Sequence, residues 1–226
     1  MANLILVRHA QASLGATDYD QLSSLGFEQA NLLGEYLMKN EFSATRFLSG
    51  TLNRHQQTIS AISSKLPSSP ELDVNKGWNE FDFKSIIRAY LTQNPGISKI
   101  QPASDPAYFF KILKKAMLAW SQGEVDIGES EKWSEFEARV STAIEEINQT
   151  SKKHDTILLV SSGGAIAMAL KQILGLSVEK MIDLNFQIKN TSVTNVEIKK
   201  DRLVLSGFNH TPHLDAPERR SKISFA

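Results

Sequence analysis

Apolar and polar positions fall along this chain in blocks of two kinds. Leu4-Ile5-Leu6-Val7 is a short unbroken apolar run, the pattern of a strand covered on both faces. Ser23 or Ser24 then opens a helix predicted to about Lys39, with Leu25, Leu32, Leu33, Tyr36 and Leu37 as its apolar side. A strand is predicted at Thr45 to Leu48. A helix follows from near Arg54 to Lys65, closed by Pro67 and Pro70, and Leu72-Asp73-Val74 reads as another short strand.

From Gly77 to Ser130 the pattern loosens. "QNPGISKIQPASDP" is rich in turn formers, and one helix is predicted at Tyr108 to Trp120 through Phe109, Ile112, Leu113, Ala116 and Trp120. A stronger helix spans Ser134 to Thr150 with a stripe of Phe136, Val140, Ala143, Ile144 and Ile147, and Ser134 to Glu137 reads as its capping box. "TILLVSSGGAIAMAL", residues 156 to 170, is a buried strand, a break at Ser161 to Gly164, and a helix running to Leu174. "SVTNVEIKKDRLVLSGF" reads as an antiparallel hairpin about a turn at Lys199 to Arg202.

Strands alternating with helices imply an α/β fold: a three-layer αβα sandwich with a mostly parallel sheet, finished by an antiparallel element. At 226 residues the chain 1-226 is expected to form a single domain, with an insertion or cap at about 77-132. Ligands in such sheets bind beyond the carboxyl ends of the strands. Two strand ends stand out on that rule, Val7-Arg8-His9 and Val160-Ser161-Ser162.

Composition mainly excludes. Twenty-five basic and twenty-five acidic residues cancel, so there is no electrostatic push toward nucleic acid or an anionic membrane. No cysteine is present, which removes disulfides, thiolate metal sites and a cysteine nucleophile. The N-terminus lacks the basic region and apolar stretch of a signal peptide, and no segment approaches a membrane span; a cytoplasmic protein is the expectation. Nothing fixes the oligomeric state.

The chemistry-bearing residues are few. A histidine directly after a buried strand, His9, can serve as nucleophile or base, and the neighbouring Arg8 guanidinium suits a phosphate geometrically. Arg54 opens a helix at another strand exit, where an isolated arginine is usually a solvated surface residue. In "WNEFDF" the acids Glu80 and Asp82 sit among aromatics; such acids are often surface groups flanked by core residues, but apolar surroundings would raise a carboxyl pKa and suit a general acid. The Ser161 to Gly164 turn offers backbone N–H groups at a helix start, and "SSGGA" lacks the glycine spacing of a dinucleotide fingerprint. Trp78 and Trp133 read as core, Lys111, Lys114 and Lys115 as a solvated face, and Arg219-Arg220 as part of a disordered end.

In order along the chain, Arg8-His9-Ala10, Leu22 to Gly26, Arg54 to Thr58, Glu80, and Ser161-Ser162-Gly163-Gly164 resemble the motifs of the histidine phosphatase superfamily, the phosphoglycerate-mutase-like fold. The resemblance spans about residues 3 to 210. It implies phosphoryl transfer with neither metal nor cofactor, on a small phosphorylated metabolite or a phosphoprotein. His9 would carry a phosphohistidine, Arg8 and Arg54 would neutralise the phosphoryl oxygens, and Glu80, with Asp82 as second choice, would act as acid. Gln11, Ser13 and Gly163 would contact substrate.

Three positions depart from that pattern. Ser162 stands where the family carries its second histidine, Ala10 where it carries glycine, and Gly15 near a position often held by asparagine. Loss of one transition-state donor costs on the order of 10²–10³ in rate. The expectation is therefore a phosphomonoesterase of weakened activity, with a catalytically impaired phosphate-ester binding or regulatory protein as the alternative. His55 would point about 100° around the helix from Arg54 and offers no evident substitute for the missing imidazole.

Overall fold

The computed structural model describes all residues except 14–19, 98–105, 201 and 226. Gly15, Asp18 and Tyr19, part of the turn-rich stretch and the residue at the tip of the predicted hairpin lie outside the described residues.

Six strands form one sheet in the order β3-β2-β4-β1-β5-β6: β1 (Ala2–Arg8), β2 (Arg46–Ser49), β3 (Leu72–Val74), β4 (Thr156–Ser161), β5 (Val193–Lys199) and β6 (Arg202–His210). The first four are mutually parallel; β5 pairs antiparallel with β1 and with β6. Alternation along the central strands divides the core. Leu4 and Leu6 of β1 with Ile157 and Leu159 of β4 face one apolar cluster, while Val7, Leu158 and Val160 face the other. Helices α1 (Ser24–Lys39) and α2 (Asn53–Ser63) cover the second face. Helices α5 (Trp133–Thr150) and α6 (Gly163–Leu174) cover the first. This is the expected mixed, mostly parallel sheet between two helical layers.

Local chemistry sets the helix ends. Ser23 caps α1, its hydroxyl accepting from the Gly26 N–H at 3.0 Å. Gly175, at φ 65°, closes α6 in the left-handed conformation that a side chain would resist. The capping box expected at Ser134 is displaced. Helix α5 begins one residue earlier, at Trp133, and the Glu135 carboxylate accepts from the Lys132 N–H at 2.8 Å. The reason is Trp133 itself, whose buried ring packs on Trp120 and Phe136 and draws its residue into the helix.

Two helices were not expected. α3 (Phe83–Gln93) is capped by Asp82, and α7 (Val178–Gln187) by Ser177. Each does carry a helical apolar stripe, Phe83, Ile86, Ile87 and Tyr90 in α3 and Val178, Met181 and Ile182 in α7, packed on the core although only Ile86, Met181 and Ile182 are fully buried. Within the 77–132 stretch, α3 packs on α4 (Pro106–Ser121), and Met117 and Trp120 of α4 join the same core cluster as α5 and α6.

The C-terminal segment is ordered, contrary to the disordered end expected from Arg219-Arg220. A 3₁₀ stretch at Pro217–Lys222 is held by Arg219 Nη1 on the His213 carbonyl at 3.3 Å. The chain then runs back over α1 and the end of β1, where Gln29 Nε2 donates to the Lys222 carbonyl at 2.6 Å and Ser224 Oγ donates to Asn190 Oδ1 at 2.9 Å.

Candidate active site

The carboxyl ends of β1 and β4 lie side by side, with Arg8 level with Ser161. The His9 N–H donates to the Ser161 carbonyl at 2.8 Å, and Asn190 Nδ2 donates to the His9 carbonyl at 2.9 Å, so the His9 backbone is clamped from both sides. Its ring is buried. Nδ1 lies 2.7 Å from the Ala10 carbonyl, an acceptor only, so Nδ1 carries the proton and Nε2 keeps its lone pair. Arg54 Nε donates to that Nε2 at 3.3 Å. Burial first, and then the charges of Arg54 and Arg8, hold the His9 pKa well below the ordinary imidazole value. The ring is neutral at pH 7, with a nucleophilic nitrogen facing a guanidinium.

Arg54 is buried as the first turn of α2 enters the site, and its Nη1 pairs with Asp20 Oδ1 at 2.7 Å. That replaces the surface role usual for an arginine at a helix start. Arg8 Nη1 donates to the Ile188 carbonyl and to the Phe225 carbonyl, the latter at 2.7 Å.

Glu80 follows a turn pinned to the sheet. Ser161 Oγ donates to the Trp78 carbonyl at 2.6 Å, and Arg139 Nη1 donates to the carbonyls of Gly77 and Asn79 at 2.9 and 2.8 Å. The Glu80 carboxylate meets the N-terminus of α6, accepting from the Gly164 N–H at 3.0 Å. Desolvation by the surrounding protein raises its pKa, against the opposing pull of that N–H and of Arg54 and Arg8. Asp82 is turned elsewhere. It caps α3, and although partial burial acts to raise its pKa, hydrogen bonds from the Ser85 hydroxyl and the Ser85 and Lys84 backbone hold it low.

Ser162 occupies the cap position of α6 in extended conformation, yet its side chain makes no capping bond. Instead Ser162 Oγ lies 2.7 Å from His55 Nε2. The His55 ring is wholly buried, 5.5 Å from the His9 ring centroid to centroid. Burial, then the Arg54 charge, keeps its pKa well below the ordinary value. The chain thus has a second imidazole in its site, carried by α2 and not by the β4–α6 turn. Two sequence signals pointed to it: the histidine directly after the arginine in "RHQQT", and Gly50 just upstream. A Cβ on Gly50 would stand 2.3 Å from His55 Nδ1, so the ring fits only because that residue is glycine.

The remaining sequence candidates separate. At Gly163 a Cβ would stand 2.8 Å from Asn185 Oδ1 and 3.6 Å from Arg8 Nε, so it is Asn185 that leaves no room for a side chain there. Gln11 is spent on the α1 cap: its Oε1 accepts from Ser23 Oγ at 2.8 Å. Ser13 pairs with Gln21 through its backbone N–H at 2.8 Å. Ala10 packs in the apolar cluster under α1 and α2, so its methyl group is a core contact and not an intrusion on His9. Among the described residues no three His, Asp or Glu side chains gather as a metal ion would need.

The model of the histidine phosphatase superfamily (branch 1) matches residues 4–89 and 108–211. The mitochondrial serine/threonine-protein phosphatase PGAM5 of Xenopus laevis is 38% identical over 76 residues, 33% of this chain and 26% of that protein. The chain therefore aligns with only about a quarter of that relative's length. Among solved structures, phosphoserine phosphatase from Entamoeba histolytica in complex with 3-phosphoglyceric acid superposes at a TM-score of 0.65. Identity is 21%, over 95% of this chain and 100% of that one. The alpha-ribazole phosphatase of Shigella flexneri superposes at 0.67 with 20% identity, over 92% and 96% of the two chains. At these identities the structural likeness speaks for the fold.

Proposed function

The chain belongs to the histidine phosphatase superfamily, branch 1, and from that membership we propose that it is a phosphomonoesterase working through a phosphohistidine at His9. One observation carries the reading: His9 presents an unprotonated Nε2 to the Arg54 guanidinium, in a buried ring whose Nδ1–H is fixed on Ala10. A nucleophile of this kind needs no base to deprotonate it. His9 Nε2 attacks the phosphorus in line as the bond to the ester oxygen breaks, and Arg54 and Arg8 neutralise the equatorial oxygens. Glu80, its pKa raised by burial, gives the leaving oxygen its proton. The carboxylate so formed then takes a proton from the water that attacks phosphohistidine, which releases phosphate and restores both groups.

The substrate class is a small phosphorylated metabolite or a phosphorylated protein side chain. The names of similar proteins span both kinds, with phosphoserine and ribazole phosphatases among the structures and a serine/threonine-protein phosphatase among the sequences. A cytoplasmic location is proposed with it; among the described residues no helix is long and apolar enough to cross a membrane. The second reading, a phosphate-ester binding or regulatory protein, draws on one observation. Arg8 Nη1 donates to the backbone carbonyls of Ile188 and Phe225, groups with which a phosphate has to compete.

A panel of phosphate esters assayed with the wild-type protein and His9→Ala separates the two. The phosphatase reading expects turnover that is lost in the variant, with acid-labile phosphate trapped on His9. Binding of esters without turnover supports the regulatory reading. Hydrolysis at full rate in His9→Ala moves the chemistry to another residue.

A further inference from the structure

The pairing of Ser162 with His55 calls for an explanation that the motif order does not supply. Serine at a helix cap ordinarily accepts a backbone N–H from its own first turn. Ser162 declines that bond, and the Gly164 N–H goes to Glu80. The hydroxyl is turned toward α2, to the His55 ring 107 residues away in sequence.

The protons on this pair follow from a count of partners. His55 Nδ1 is buried and has no hydrogen-bond partner among the described residues. If Nδ1 held the proton, a buried N–H donor would stand unpaired, which is the rarer and costlier arrangement; an unpaired nitrogen lone pair is the milder one. The proton therefore sits on Nε2, and Nε2–H donates to Ser162 Oγ. The serine's own proton is then free to be donated onward. Ser162 follows Ser161, which is level with Arg8, so it stands beside His9 at the same edge of the sheet. A hydroxyl that accepts one strong hydrogen bond becomes a better donor of the next.

We propose that Ser162 is the donor to the transferring phosphoryl group and that His55, acting through the 2.7 Å Nε2–Oγ contact, is the residue that orients and polarises it. An imidazole from α2 and a hydroxyl from the β4–α6 turn thus share one task. In this chain the loss of a histidine at 162 is offset by a histidine at 55 and by Gly50, which leaves room for the ring. The inference rests on the His9 reading above. Within it, Ser162 touches the phosphoryl oxygen and His55 is a positioning residue.

The test is a double-mutant cycle on p-nitrophenyl phosphate with Ser162→Ala, His55→Leu, the double variant and His55→Gln, beside His9→Ala. Each single truncation is expected to lower kcat about 10²- to 10³-fold, the scale of one transition-state donor, and to leave KM within about 3-fold. The double variant should be no slower than the worse single, because either change alone breaks the relay. His55→Gln, whose amide N–H reaches toward the place of Nε2–H, should recover most of the rate. Losses that multiply in the double variant overturn the relay. So does unchanged kcat with lowered thermal stability, the signature of a plain α2–α6 tether. Hydrolysis that survives in His9→Ala sinks the His9 reading instead and leaves a different pattern of results.

If the wild type turns over no ester, the phosphatase reading fails by itself and the pair is read from inorganic phosphate. Added phosphate should shift the nitrogen resonances of the His55 ring in wild type and leave them fixed in Ser162→Ala. Resonances that stay fixed in wild type, with phosphate bound, overturn the proposal.

Discussion

Gly164 leaves no room for a side chain beside Glu80: the Gly164 N–H donates to Glu80 Oε2 at 3.0 Å, and a Cβ on Gly164 would stand 2.1 Å from Oε1. The same Cβ would meet the Phe81 ring at 2.4 Å. Replacing Gly164 by Ala must therefore push the carboxyl and the ring away together. The expected cost is about 1–3 kcal/mol of stability from overpacking, with hydrolysis slowed most on esters with poor leaving groups. A Gly164→Ala protein with wild-type urea midpoint and wild-type rates would show that Glu80 does not need this seat.

Glu80→Gln isolates the proton. Esters with alkoxide leaving groups should slow by about 10²–10⁴, while p-nitrophenyl phosphate, whose leaving group needs no proton, should change little. In the wild type, activity on alkyl esters should fall as pH rises and the burial-raised carboxyl ionises. Equal losses on both ester types would remove Glu80 as the acid.

Ser162→His alone should not improve the enzyme. Ser162 Oγ already stands 2.7 Å from His55 Nε2, so a second imidazole would overlap the first. Lower stability and no gain in kcat are expected from this change. The paired exchange Ser162→His with His55→Ala clears the space and should recover most of the roughly 10²–10³-fold that one donor is worth. A single Ser162→His variant faster than wild type would contradict this packing of Ser162 against His55.

Inorganic phosphate and vanadate should bind without a metal, since the Arg8 and Arg54 guanidiniums and the N-terminus of α6 supply donors for an anion. Calorimetric titration should give the same affinity with and without a chelator. Arg54→Ala should weaken binding about 10- to 100-fold, the value of one charge-assisted pair. Binding that disappears on chelation would mean that a metal ion carries the anion.

Acid should destabilise the fold through its buried histidines. His213 is buried against Thr191, its Nε2 2.9 Å from Thr191 Oγ1, and burial, then the Arg219 charge, lowers its pKa to about 4. Its unfolded value is about 6.5. Between these values the unfolded chain binds the proton and the folded chain does not. The stability present above pH 6.5 is thus lost as pH falls through 4. His9 and His55 have the same sign. Urea unfolding from pH 7 to 4 should show a falling free energy, and His213→Gln should remove up to about 3 kcal/mol of that fall. An unchanged pH slope in the variant would mean that His213 is protonated in the folded state.

What the sequence determined by itself was whatever contiguous residues decide. The apolar runs of β1 and β4, the stripe of α5 and the Ser23 cap are set by neighbours a few positions apart, and each formed where the pattern put it. In α1 only Leu33 and Leu37 of the expected side are buried, and small residues, Gly26, Ala30 and Gly34, complete the buried face. The motif order named the family for the same reason, since all its motifs but Glu80 are a strand end or a helix start. The helices α3 and α7 are legible too, through Phe83, Ile86, Ile87 and Tyr90 and through Val178, Met181 and Ile182, but each is only about three turns long and reads as part of a connecting stretch.

Only the tertiary structure decided where His55 points. A helix separates adjacent side chains by about 100°, which argued that His55 would miss a site containing Arg54. That argument holds for a helix with one buried face. The first turn of α2 is enclosed on more than one side, with His9 at the end of β1 against Arg54 and the β4–α6 turn against His55. Two adjacent directions are therefore both interior, and both side chains are buried. No local pattern can report such an enclosure, because its walls come from segments as far apart as residues 9, 55 and 162.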